Sequence, residues 1–192
     1  MVALAGVFAL GVAPALAGDG GVAKLTTLLF QKGDEWAYVR QGPLQTAANA
    51  SAWAHIYGAK SARSADIKRW RSEGLMAAAM VGTGTAAGSE GVSWVERLKS
   101  PASAEREAAD VFSTDTGPKQ QPVTAFSVPG VAHAKGFAYA PKNVKPTADN
   151  VVWTQGACTL LLGNYNTGGL SINAIAKAVK AIYVRTGHRC PA

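Results

Sequence analysis

The stretch VGTGTAAGSEGVSWVERLKS, residues 81–100, decides the fold. Gly82, Gly84 and Ala87 have the G-x-G-x-x-A spacing of a dinucleotide-binding loop. Such a loop needs a strand before it and a helix after it, because the helix N-terminus holds the pyrophosphate. An apolar run, LMAAAMVG, does precede the glycines, but GVSWVERLK follows with a period of two. Val92, Trp94, Glu96 and Leu98 share one face, while Ser93, Val95 and Arg97 share the other, so this is a strand. Glu107 has the spacing of a ribose-binding acid yet falls in a later helical stretch, and no lysine follows the glycines as a P-loop requires. The reading is a hairpin, with Gly82, Gly84, Gly88 and Gly91 expected to supply positive φ. No cofactor is expected. Neither strand face is purely apolar, so both sides of the sheet are expected to be partly covered.

Working outward, SPASAEREAADVF predicts a helix with Ser100 as its cap, Pro101 in its first turn and a stripe of Ala104, Ala108, Val111 and Phe112. Upstream, SADIKRWRSEG predicts a short helix capped by Ser64 and ended by Gly74, and NASAWAHIYG also reads as helical. Residues 25–53 fit either a short helix broken at Gly33 or two short strands. TDTGPKQQPVT reads as a linker, AKGFAYAP as a strand, NVKPTAD as a loop, and NVVWTQGACTLLLGNY as one strand bent near Gly156. The helix SINAIAKAVKAIYVRT, capped by Ser171, then presents Ile172, Ile175, Val179, Ile182 and Tyr183 on one face. Two strand-strand-helix units in tandem imply an α+β fold, an antiparallel sheet with helices packed on it.

The chain end is tied back by chemistry. Cys158 lies on a predicted strand and Cys190 just beyond the last helix. A strand carries the chain about 17 Å out at roughly 3.3 Å per residue, and the helix returns it about 21 Å at roughly 1.5 Å per residue. The two cysteines are thus expected to meet as one disulfide, which suits an oxidising compartment. The N-terminal run MVALAGVFALGVAPALAGDG ends in the small-x-small pattern Ala15-Leu16-Ala17. It reads as a signal peptide over residues 1–17, although no Lys or Arg precedes it, and a membrane anchor is the rival reading. No later apolar run is long enough for a bilayer. Residues 18–192 are expected to form a single domain of two lobes, about 25–114 and 122–192.

Of 192 residues, 48% are hydrophobic and 16% charged, a globular composition. The net charge of +7 suits acidic partners and solubility alike. Lys68, Arg69 and Arg71 flank Trp70, but the expected arrangement is a solvated helix face with Trp70 turned inward, so no nucleic acid is expected. His55, His133 and His188 lie at no metal-ligand spacing, and no G-x-S-x-G elbow is present. No catalytic or metal-binding residue is assigned. Trp94, Tyr139 and Trp153 sit on predicted strands, where they are ordinary sheet packing or could line an apolar pocket.

FSVPGVAHAKGFAY, residues 126–139, resembles a segment of uncharacterised exported proteins and lipoproteins of high-GC soil bacteria, in which it reads roughly F-x-V-P-G-x-x-x-A-x-G-F. The run RWRSEGLMAAAMVGTG with GVSWVERLKSPASAEREAA looks like the companion segment, with Gly74-Leu75 where Gly-Phe is common and Ala78 or Ala79 where glycine is common. More distantly, the layout is similar to extracytoplasmic sensor domains. The resemblance implies location and architecture, not a reaction. The expected function is a secreted, non-catalytic domain that binds a small apolar molecule, an envelope polymer or a protein. An extracellular hydrolase with a site assembled from loop residues is the alternative.

Overall fold

The computed structural model describes residues 20–34, 38–85, 90–117, 123–139, 147–166 and 172–191. The expected signal peptide, the Ser171 cap and Gly88 lie outside them. Seven strands form one antiparallel sheet: β1 (Tyr38–Ala47), β2 (Ala77–Thr85), β3 (Glu90–Arg97), β4 (Val123–Phe126), β5 (Lys135–Tyr139), β6 (Thr147–Gln155) and β7 (Cys158–Asn166). Their order is β1-β2-β3-β7-β6-β5-β4. The first half of the chain supplies three adjacent strands and the second half four. They join where β3 pairs with β7, from Glu90 opposite Tyr165 to Arg97 opposite Cys158. The fold is α+β, as the periodicities require.

Each half ends in a hairpin followed by a helix: β2-β3-α4, with α4 at Pro101–Thr116, and β6-β7-α5, with α5 at Ile172–Arg185. The helices cover opposite faces. On one, α5 buries Ile175, Ala178, Val179 and Ile182 against Val95, Val151, Trp153, Leu160 and Leu162. The short α1 (Gly20–Leu25) and the 3₁₀ turn Thr26–Leu28 add Leu25 and Leu28 to that layer. On the other, α2 (Ala50–Ile56), α3 (Arg63–Glu73) and α4 pack Trp53, Trp70 and Ala104 against Trp94, Leu98 and Leu161. The two-sided burial of β3 is why its alternation never became purely apolar on either side.

Local chemistry sets the boundaries. Ser100 caps α4 by accepting from Ser103 N–H at 3.2 Å, with Pro101 in the first turn. Gly74 ends α3 in the left-handed region, φ 69°. Ser64 does not cap that helix: it starts one residue earlier, behind Ala62, with no side-chain cap. Asn49 is the cap of α2, accepting from Ala52 N–H at 2.9 Å. Residues 25–53 combine both alternatives, helical turns up to Leu28, a turn at Gly33 with φ 107°, and then strand β1.

Four readings are corrected. The single bent strand is the hairpin β6-β7, because Gly156 adopts φ 55° and reverses the chain. The loop NVKPTAD gives way to strand at Thr147, and the linker yields its ends to α4 and β4. Gly82, Gly84 and Gly91 are strand residues, paired in the β2-β3 ladder and not in positive φ. Gly91 instead answers close approach: a Cβ there would stand 2.5 Å from Gly163 O and 2.6 Å from Thr83 Oγ1. Gly82 and Gly84 of the G-x-G-x-x-A stretch therefore lie on β2, the next described element is the antiparallel β3, and Ala87 lies outside the described residues.

Candidate functional site

Two groups of charged side chains stand apart, and the fold treats them differently. The first lies between α3, α4 and β3. Glu96 is placed inward by the strand alternation, and Glu107 by its position one turn from Ala104 and next to Ala108 on the buried face of α4; each is 1% exposed. Trp53 Nε1 donates to Glu96 Oε1 at 2.5 Å, and Trp70 Nε1 to Glu107 Oε1 at 3.1 Å. Arg69 Nη1 donates to Glu107 Oε1 and to Asp110 Oδ2, both at 2.7 Å, with its guanidinium 4.8 Å from the Trp70 ring centroid.

The second oxygen of each glutamate is buried without a hydrogen-bond partner. Burial, then the neighbouring Glu107, pushes the Glu96 carboxyl well above the usual range. Burial also raises Glu107, against the pull of Arg69. Burial would lower the Arg69 guanidinium, but Glu107, Glu96 and Asp110 raise it. On the rim, Arg106 grips Glu73 with a guanidinium nitrogen 2.8 Å from Oε2, and that hydrogen bond lowers the Glu73 carboxyl. The surface depression above the cluster holds about 190 Å³ and is bordered by groups that already neutralise one another.

The second group lies at the far end of the sheet, where β2 begins, β3 ends, and the β6-β7 turn meets the chain end. Met76 N–H donates to Arg97 O, and Leu98 N–H to Ala157 O, both at 2.8 Å. Cys158 and Cys190 are joined with their Cα atoms 5.4 Å apart, which brings residues 188–191 against the turn. These segments enclose an open cleft of about 560 Å³, lined by Arg97, Lys99, His188 and Arg189 over an apolar floor that includes Met76 and Pro191. Among the described residues that line it none is acidic. Arg97 Nε is buried without a partner, whereas Lys99 Nζ donates to Ser72 O at 2.8 Å. His188 is a non-glycine residue at φ 61°, its ring stacked on Tyr183 with centroids 4.0 Å apart.

The three aromatic residues expected to line a pocket do not meet. Trp94 is buried on the α2-α3-α4 face and Trp153 on the α5 face. Tyr139 shares the side of Trp94 but lies at the other flank of α4, where its hydroxyl donates to Asp115 O. Burial pushes the Asp115 carboxyl up to about 6. Trp70 is turned inward beside exposed Lys68 and Arg71. Cys190, two residues from His188, is held in the disulfide and offers no free thiol. Among the described residues no three metal-ligating side chains gather, and no helix is long and apolar enough to cross a membrane.

What sequence reasoning missed was the cationic cleft. Its signal was present, since Arg97 and Lys99 close β3 while His188 and Arg189 precede Cys190, and the expected disulfide joins those two places. The buried role of Glu96 was foreshadowed by its position between Trp94 and Leu98.

No protein-family profile and no curated protein matches the chain. Among solved structures, the chain is similar to the extracellular domain of PknH from Mycobacterium tuberculosis, with a TM-score of 0.53 and 10% identity. The match covers 84% of this chain and 96% of that one. At that identity the likeness is one of fold.

Proposed function

We propose that this chain is an extracytoplasmic, non-catalytic binding domain and that the cleft beside Cys158–Cys190 is its ligand site. The observation that carries this reading is the contrast in charge satisfaction. The buried carboxyls, the groups best suited to acid–base chemistry, are held by Trp53, Trp70 and Arg69 and closed off from solvent. The large open cleft instead carries cations without counter-charges and an apolar floor, the make-up of a binding site. Export through residues 1–17 fits the disulfide, which persists in oxidising compartments. The shared fold with an extracellular domain supports the same location. No cofactor, catalytic residue or nucleic-acid partner belongs to this reading.

The hydrolase alternative would need Glu96 and Glu107 to reach a substrate, and both are sealed. The test is to export the full chain, recover it, and examine it by native mass spectrometry. A bound, chemically unchanged small molecule, lost in the Arg189→Gln variant, is the expected result. Turnover of an added ester or glycoside, abolished by Glu107→Gln while the fold persists, would overturn the proposal in favour of a hydrolase.

A further inference from the structure

We infer that the cleft takes a phosphate-bearing amphiphile, its anionic headgroup among Arg97, Lys99, His188 and Arg189 and the start of its apolar tail over Met76, Leu98 and Pro191. This rests on the reading of the cleft as the ligand site and deepens it by naming the ligand class.

The headgroup half follows from charge. Three permanent cations and a histidine border one cleft, with no carboxylate among its lining residues. Three arginines elsewhere are matched, Arg69 with Glu107 and Asp110, Arg106 with Glu73, and Arg185 with Asp34, whereas Arg63 and Arg71 stand singly. Uncompensated cations in one concavity raise its potential and favour an anion there. Arg97 lines the cleft, and its Nε has no acceptor within the protein. A guanidinium fork suits two oxygens of a phosphate, and a phosphate offers enough oxygens for several donors at once.

The apolar half follows from what the floor exposes. Met76 is 50% exposed, one of few large hydrophobic side chains so placed, and its flexible thioether adapts to an irregular chain. The floor continues through Leu98, Ala157 and Pro191 beside the disulfide. Because the cleft is open rather than enclosed, it suits the head of a longer molecule. The rim is held by covalent and conformational constraint. The disulfide fixes Cys190, and Gly187 and His188 close α5 in the left-handed region with His188 N–H donating to Tyr183 O and its ring stacked on Tyr183.

The test uses the full chain and four probes followed by calorimetry: dihexanoyl phosphatidylglycerol below its micelle concentration, dihexanoyl phosphatidylcholine, inorganic phosphate and a neutral short-chain detergent. Phosphatidylglycerol is expected to bind saturably, at least about tenfold more tightly than phosphatidylcholine or phosphate, and more weakly as salt rises. Arg97→Gln and Arg189→Gln are each expected to weaken it about tenfold, and Met76→Ser several-fold, with Arg106→Gln unchanged. Arg189 is exposed, so its variant keeps the test valid if Arg97→Gln fails to fold. Phosphate as tight as phosphatidylglycerol would overturn the amphiphile and mark a free-oxyanion site. Equal binding of phosphatidylcholine or detergent, lost in Met76→Ser, would overturn the anionic headgroup yet leave the cleft as a ligand site. No binding of any probe would overturn this inference; the co-purified ligand test would still decide the broader reading.

Discussion

Arg69 and Arg97 belong to the same molecule and face opposite circumstances. Arg69 lies between two carboxylates, over an indole, and completes a cluster that has nothing left to offer a ligand. Arg97 stands at the end of a strand with Nε buried and unpartnered, among other cations. The first arrangement holds three helices to a sheet; the second awaits a counter-charge. The difference teaches that a buried acidic cluster with perturbed carboxyls is no sign of catalysis when each glutamate is held by an indole N–H and closed off from solvent. Unmatched charge in an open cleft is the better guide to function.

The largest expected effect tests the structural half of that contrast. Glu107→Ala would leave the Trp70 indole N–H without its acceptor and Arg69 with Asp110 alone, and should cost about 4 kcal/mol in urea unfolding. Arg189→Ala in the cleft should stay within about 0.5 kcal/mol of the parent. Similar costs for the two would erase the distinction. Next in size, replacing Cys158 and Cys190 with serine should cost about 3–4 kcal/mol, the loop-closure value for their separation of 32 residues. It should also speed amide exchange at the end of α5 before the rest of the sheet responds.

A smaller effect is pH-dependent. The Glu96, Glu107, Asp115 and Asp149 carboxyls are all raised, chiefly by burial, with Asp115 at about 6. Each binds its proton more tightly folded than unfolded, where glutamate titrates near about 4.3 and aspartate near about 3.9. Their contribution is complete below those unfolded values and is lost as pH rises through the folded ones. Unfolding free energy should therefore decline from pH 4 upward, and Glu96→Gln should flatten the decline. A steeper decline in Glu96→Gln would show that the Glu96 carboxyl is not raised in the fold. Smallest of all, Ser100→Ala should cost about 1 kcal/mol by removing the α4 cap, without touching either cluster.

Much of the fold was legible because local signals agreed with it. The period of two in GVSWVERLK, the Ser100-Pro101 start of α4 and the apolar stripe of α5 each named an element and its buried face. Gly156 was recognised as a bend but not as a full reversal, since apolar residues flank it on both sides in VVW and LLL and its positive φ is not written in the sequence. The positive φ expected at Gly82, Gly84 and Gly91 was a wrong attribution. Glycine also serves strands where backbones crowd, and sequence does not distinguish the two uses. The cleft was the hardest to see, for its walls come from Met76, Arg97 to Lys99, the turn at Gly156 and residues 188–191. Only the strand pairing and the disulfide bring those together. The proposed aromatic pocket failed for a related reason: Trp94 and Trp153 occupy strands whose register sends them to opposite faces.

The most direct test of the account is amide hydrogen exchange of the full chain with and without dihexanoyl phosphatidylglycerol. The account predicts protection confined to residues 97–99, 156–157 and 187–190, with residues 69–73 and 106–110 unchanged. Protection centred on the Arg69, Glu107 and Asp110 cluster, with the disulfide end unaffected, would contradict it.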